Sequence, residues 1–170
     1  EVVALETGLG GRLDATNVVT PAVCVLTPID LDHQQYLGDT LASIAAEKAG
    51  VVRAHRAVVV GPMDAEAFGK IREISRKQRA RVVRAFQGVA LRRSDGELRV
   101  RTPRGSYAHV HPLAGAHQRA NLVVAIRTLE ALDSAGPRID LPTAVAAMSQ
   151  AVWPGRLERL DHRPPFLLDG

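Results

Sequence analysis

One cysteine, Cys24, cannot build a disulfide framework, and its place in the apolar run Ala22 to Leu26 marks it as a small buried side chain. Aromatic residues make up only 4% of the chain, too few for the stacking platforms that single-stranded nucleic acids require. The net charge of +4 therefore does not argue for a nucleic-acid partner, because the arginines are spread from Arg12 to Arg163. Only Arg72 to Arg84 is dense, and a solvated helix face explains that run. No apolar run approaches the roughly 18 residues that span a bilayer, and no signal peptide is visible, so a cytoplasmic protein without membrane contact is expected. A phosphate loop of the Gly-x-x-x-x-Gly-Lys-Ser/Thr type is also missing, since the nearest pair, Gly69-Lys70, is followed by Ile71. The chain starts without Met inside an apparent strand and ends on Leu167-Leu168-Asp169-Gly170, which leads us to expect a fragment.

What is present reads as one α/β core. A hydrophobic content of 46% with 24% charged residues suits a globular domain of this length. Val2 to Leu5, Ala22 to Thr27, Ala57 to Val60 and Arg81 to Ala85 are short apolar runs bounded by Gly, Pro and charged residues, as expected of buried parallel strands. Between them, Thr40 to Ala49 has helical spacing, with Asp39 or Thr40 as cap and Gly50 as stop, and Ala65 to Arg79 is amphipathic with Phe68, Ile71 and Ile74 inward. From Val89 to Val110 apolar and polar residues alternate around two turns, which predicts a small antiparallel meander. Helices are predicted again over Asn121 to Ala135 and Pro142 to Ala151. Trp153-Pro154-Gly155 reads as a linker, with Leu157 to Leu160 and Phe166 to Leu168 as first strands of a further unit. The expected division is thus 1–152 and 153–170.

Chemistry is concentrated near the front. From Leu5 to Val18 a carboxylate, Glu6, closes an apolar run and is followed by Gly8, Gly10 and Gly11, then Arg12, Asp14, Thr16 and Asn17. Glycine permits tight turns and close backbone approach to a ligand, and open α/β sheets bind ligands beyond the carboxyl ends of their strands. The second run likewise ends in a polar loop, Thr27-Pro28-Ile29-Asp30-Leu31-Asp32-His33. Glu6, Asp32 and His33 could share a divalent metal, although imidazole is an unusual Mg²⁺ ligand and His33 also reads as an ordinary loop histidine. Lys48 equally reads as a lysine meeting the negative end of a helix dipole.

Taken together, Glu6-Thr7-Gly8-Leu9-Gly10-Gly11-Arg12-Leu13-Asp14-Ala15-Thr16-Asn17, Leu31-Asp32-His33 with Leu37-Gly38, and Glu47-Lys48-Ala49-Gly50 resemble the central domain of folylpolyglutamate and dihydrofolate synthases, within the Mur ligase superfamily. Gly115-Ala116-His117-Gln118-Arg119-Ala120-Asn121 resembles the family's adenine-side segment, Trp153-Pro154-Gly155-Arg156 its interdomain junction, and Leu168-Asp169-Gly170 the start of a motif in its second domain. Thr7, Pro28 and Asp30 depart from the pattern. The resemblance implies a P-loop NTPase-like central ATP-binding domain, with its phosphate loop upstream of Glu1, joined to a glutamate-ligase domain that begins at 153–170.

It also implies roles. Glu6 and His33 would hold Mg²⁺, and Lys48 would react with CO₂ to become a carbamate ligand of a second Mg²⁺. Asn121 would contact adenine, Arg156 the ATP phosphates and Asp169 the nucleotide, while Arg12 and Asp14 would shape the site, Asp14 among the catalytic residues. The implied reaction joins L-glutamate to a folate or dihydropteroate carboxylate through an acyl phosphate, in a monomer. The alternatives are a superfamily ligase acting on another carboxylate, and a nucleotide-binding module that has lost the chemistry.

Overall fold

The computed structural model describes residues 2–94, 97–155 and 157–169. Its centre is built from the valine-rich runs: β1 (Val23–Leu26), β2 (Ala57–Val60) and β3 (Arg81–Arg84) form a parallel sheet in that order, with Cys24 beside Val58 and Val58 beside Val82. β2, flanked on both sides, is buried along its whole length, as a central parallel strand covered on two faces must be.

Alternate residues of the strands face two different cores. Cys24, Leu26, Val58 and Val60 pack with Ile44 and Ala45 of helix α2 (Leu41–Lys48) and with Ala67 and Ile71 of α3 (Ala65–Lys77). Val59 and Val83 pack instead with Val123 and Ile126 of α4 (Ala116–Asp133) and Val145 of α5 (Leu141–Met148). Each fully buried aliphatic side chain, such as Ile44, Ile71 or Ile126, contributes about 1.5–3 kcal/mol.

The alternating segment forms an antiparallel sheet of β4 (Ala90–Ser94), β5 (Glu97–Arg101) and β6 (Ser106–Val110), whose Val100, Tyr107 and Val110 complete the α4 side of the core. Of its first turn, residues 95 and 96 lie outside the described residues. Glu130 of α4, only 2% exposed, is made tolerable there by three donors: Thr102 Oγ1 at 2.5 Å, the Tyr107 hydroxyl at 2.9 Å, and Arg127. Burial, and then the hydrogen bond to Glu130, push the Tyr107 hydroxyl up to about 12. A short antiparallel pair, β7 (Glu158–Leu160) and β8 (Phe166–Leu168), follows irregular chain around 153–155.

Three expectations change. Val2 to Leu5 is not a strand: its side chains are exposed and no described strand pairs with it, and an apolar run becomes a strand only where a neighbour satisfies its backbone. The helix expected from Asn121 begins at Ala116, because Gly115 with φ of 109° turns the chain into it and the polar residues 117–119 occupy its first turns. Gly50 does not stop α2 abruptly, since Ala49–Val51 continues as a 3-10 turn. Thr40 is the cap, accepting from the Ser43 N–H while the Ser43 hydroxyl accepts from the Thr40 N–H.

Candidate active site

The glycine-rich segment at the start of the chain packs on the last turn of α2. Asp14 organises the glycine-rich loop: Oδ1 accepts from the Thr16 N–H at 2.9 Å and the Thr16 hydroxyl at 2.5 Å, and Oδ2 accepts from the Gly8 N–H at 2.9 Å. These donors, the Thr16 hydroxyl foremost, hold its carboxyl below the usual carboxylate range. Asp14 thus caps the 3-10 turn Ala15–Val18 and fixes the loop's shape, with both carboxylate oxygens engaged.

The shaped loop is then fastened to α2. The Arg12 N–H donates to Glu47 O at 2.9 Å, and the Arg12 Nε donates to both Glu47 carboxylate oxygens at 3.1 and 3.2 Å. Asn17 Nδ2 donates to Arg12 O and Gly50 O at 3.0 and 3.2 Å. Glycine is required at the contact itself: a Cβ on Gly11 would lie 2.9 Å from Lys48 O, and one on Gly50 would overlap Arg12. Gly10, at φ 67°, lies against Leu37, the end of the short helix α1 (Gln34–Leu37) that follows His33. The glycine-rich loop therefore meets the Glu47–Gly50 segment and, through Gly10, the end of α1.

His33 takes a left-handed backbone conformation, φ 51° and ψ 35°, at the turn into α1. Its N–H donates to Asp32 Oδ1 at 2.7 Å, its Nε2 lies 3.5 Å from Asp32 Oδ2, and its ring is half-exposed. Glu6 is exposed and Lys48 half-buried, and neither side chain has a hydrogen-bond or ionic partner among the described residues. No group of three or more His, Cys, Asp or Glu side chains assembled for a metal ion occurs among those residues.

The later candidates are more dispersed. Asn121, exposed in the second turn of α4, donates to Gln118 Oε1 at 3.1 Å. Asp169 Oδ1 accepts from the Leu157 N–H at 3.3 Å, which ties the end of β8 to the residue before β7. Arg156 lies outside the described residues. Sequence reasoning missed Glu47 as the partner of Arg12, and no local signal could pair residues 35 positions apart. It also missed a cavity of about 390 Å³ beyond β2 and β3, lined by Gly61, Pro62, Met63, Phe68 and Phe86, where the Arg84 guanidinium stands 4.8 Å over the Phe68 ring.

A parallel sheet covered on both faces by helices is the architecture of an open α/β domain, a class that binds ligands beyond the carboxyl ends of its strands. Residues 1–129 match the Mur ligase middle domain, and the chain belongs to that family. Over 99% of its length it is 35% identical to the dihydrofolate synthase/folylpolyglutamate synthase of Mycobacterium tuberculosis, and over all of it 33% identical to that of Bacillus subtilis. It spans 38% and 41% of those two proteins' lengths. A solved structure described as an FPGS–AMPPCP–folate complex superposes with a TM-score of 0.84 at 29% identity, covering 98% of this chain and 42% of that one.

Proposed function

We propose that the protein to which this chain belongs is an ATP-dependent ligase that joins L-glutamate to the carboxylate of dihydropteroate or a reduced folate. The observation that carries this is likeness over the whole chain to synthases of that name, including a structure holding a nucleotide analogue and folate together. In this reading residues 1–152 are the central ATP-binding domain, and 153–170 are the linker and the start of the glutamate-ligase domain.

The substrate carboxylate attacks the γ-phosphate of ATP, giving an acyl phosphate and ADP. The amino group of glutamate then attacks the acyl carbon, phosphate leaves and the amide remains. Negative charge gathers in the first step, so catalysis rests on positioning and on electrostatic stabilisation. Mg²⁺ would be held by Glu6, an exposed carboxylate without a partner among the described residues, and by His33 at the turn into α1. Bound there, two such ions would neutralise the phosphate charge. Lys48, half-buried and unpartnered among the described residues, would serve as a carbamate formed with CO₂, which replaces its cation by oxygen donors. Asn121 would face adenine, and Arg156 and Asp169 the phosphates and nucleotide. Asp14 would act on catalysis by holding the loop's shape.

The protein would work as a cytoplasmic monomer on small molecules, without membrane or nucleic-acid partners. Supporting this, no helix among the described residues is long and apolar enough to cross a membrane, and Glu73 balances Lys70 and Lys77 within the basic helix α3. The test is phosphate release from ATP by the complete reading frame with Mg²⁺ and L-glutamate, comparing dihydropteroate, tetrahydrofolate and no acceptor. Release that requires glutamate and one pterin establishes the ligase and names its acceptor; release with neither shifts the reading to another carboxylate, and none at all to a non-catalytic module.

A further inference from the structure

The glycine-rich loop and the end of α2 are joined by a residue that the family reading leaves without a role. Arg53 follows the 3-10 turn after Lys48, just beyond Val52, which is buried at 3% exposure. Its Nη1 donates to Gly50 O at 3.0 Å, and its Nη2 donates to Asn17 O at 2.6 Å and to Asn17 Oδ1 at 2.5 Å. All three acceptors are neutral, and Arg53 has no ion pair among the described residues. An arginine ordinarily offers its charge to water or a carboxylate; this half-buried one directs it at two backbone carbonyls and an amide belonging to the two segments that carry the candidate site.

We propose that Arg53 is a positioning residue that sets the register of the Glu6–Asn17 loop against the helix end bearing Lys48. Asn17 is the hinge of the arrangement. Its Nδ2 donates to Arg12 O and Gly50 O, and its Oδ1 accepts from Arg53, so the guanidinium fixes which way the amide points. Once the amide is fixed, Arg12 is held where it forks onto Glu47, the neighbour of Lys48. A planar fork is needed because its two nitrogens reach two segments at once, whereas an ammonium on a flexible stem can satisfy them only in part. The consequence for catalysis rests on the ligase reading; the consequence for the loop does not.

The experiment uses the complete reading frame with Arg53→Lys, Arg53→Ala, Asn17→Ala and the double alanine variant. Amide hydrogen exchange is read without ligand, and glutamate-dependent phosphate release at saturating ATP. Arg53→Ala is expected to speed exchange over residues 8–17 and 47–53 while β2 and α3 keep their protection. It should lower kcat by roughly 10–100-fold, the scale set by misplacing a reacting group by about an ångström. Arg53→Lys should recover part of both effects, and the double variant should be no worse than the poorer single, because the two residues act through one contact. Exchange unchanged in the loop, exchange raised uniformly over the fold, or additive losses in the double variant would each overturn the proposal. If wild type shows no glutamate-dependent turnover but the exchange pattern holds, the positioning role stands and the ligase reading falls.

Discussion

Replacing Tyr107 by Phe tests whether the buried carboxylate of Glu130 is what fastens the meander to α4. The ring stays and only the hydroxyl is lost, so packing against Val100 and Val110 is preserved and no cavity opens. What disappears is one 2.9 Å hydrogen bond to a buried carboxylate, and hydrogen bonds to charged groups contribute about 1.5–3 kcal/mol. For a domain of this size that lowers the melting temperature by roughly 3–12 °C. A second signature separates this from a generic defect. The folded state holds the tyrosine proton to about 12 against an ordinary value of 10, so the associated stability is fully present below pH 10 and is lost as pH rises from 10 to 12. The phenylalanine variant has no such proton to lose. Thermal unfolding of both proteins followed from neutral pH to pH 12 should therefore show a gap that is constant up to about pH 10 and then narrows. A melting temperature unchanged at pH 7, or a gap that stays constant through pH 12, would refute the network as described.

Gly50→Ala forces a Cβ into Arg12, and overpacking of this kind costs about 1–3 kcal/mol, which urea unfolding should show as a lowered midpoint. On the ligase reading proposed above, Lys48→Arg keeps the positive charge but cannot form a carbamate, so steady-state kinetics of the complete protein should show a loss of about 100-fold or more while it still melts normally. The carboxyl of Glu73 is held near 2 by Lys77 and Lys70, so its stabilisation of α3 is present above about pH 4.5 and fades as pH falls toward 2. An NMR titration should find that midpoint, and high salt should move it back toward the ordinary value because the three groups face solvent.

Elements whose signal is local were legible in the sequence. Ala57 to Val60 reads as a buried strand because four consecutive β-branched or small apolar residues bounded by Arg56 and Gly61 have no amphipathic alternative, and β2 occupies those positions. Alternation around Pro103-Arg104-Gly105 similarly gave β5 and β6. The failures involve information that a segment does not carry about itself. Val2 to Leu5 has the composition of a strand, but ladder pairing depends on a neighbour. Residues 116–120 are polar enough to pass for a loop, and only Gly115 at φ 109° shows where the chain turns into α4.

The site divides along the same line, and the division explains why a glycine-rich loop without a phosphate-loop pattern can still be recognised. Gly8, Asp14 and Thr16 shape the loop from within, through contacts across two to six residues, so their spacing is itself the signal. Arg12, Asn17 and Arg53 act on partners more than thirty positions away, and nothing in their spacing announces Glu47 or Gly50. Gly11 and Gly50 link the two kinds of information. Each is a glycine because a backbone from the other segment passes where its side chain would be, so the sequence records a long-range contact only as an absence. The loop's geometry is therefore fixed twice, internally by a carboxylate whose oxygens are both engaged and externally by backbone contacts at Gly11 and Gly50 that leave no space for a Cβ.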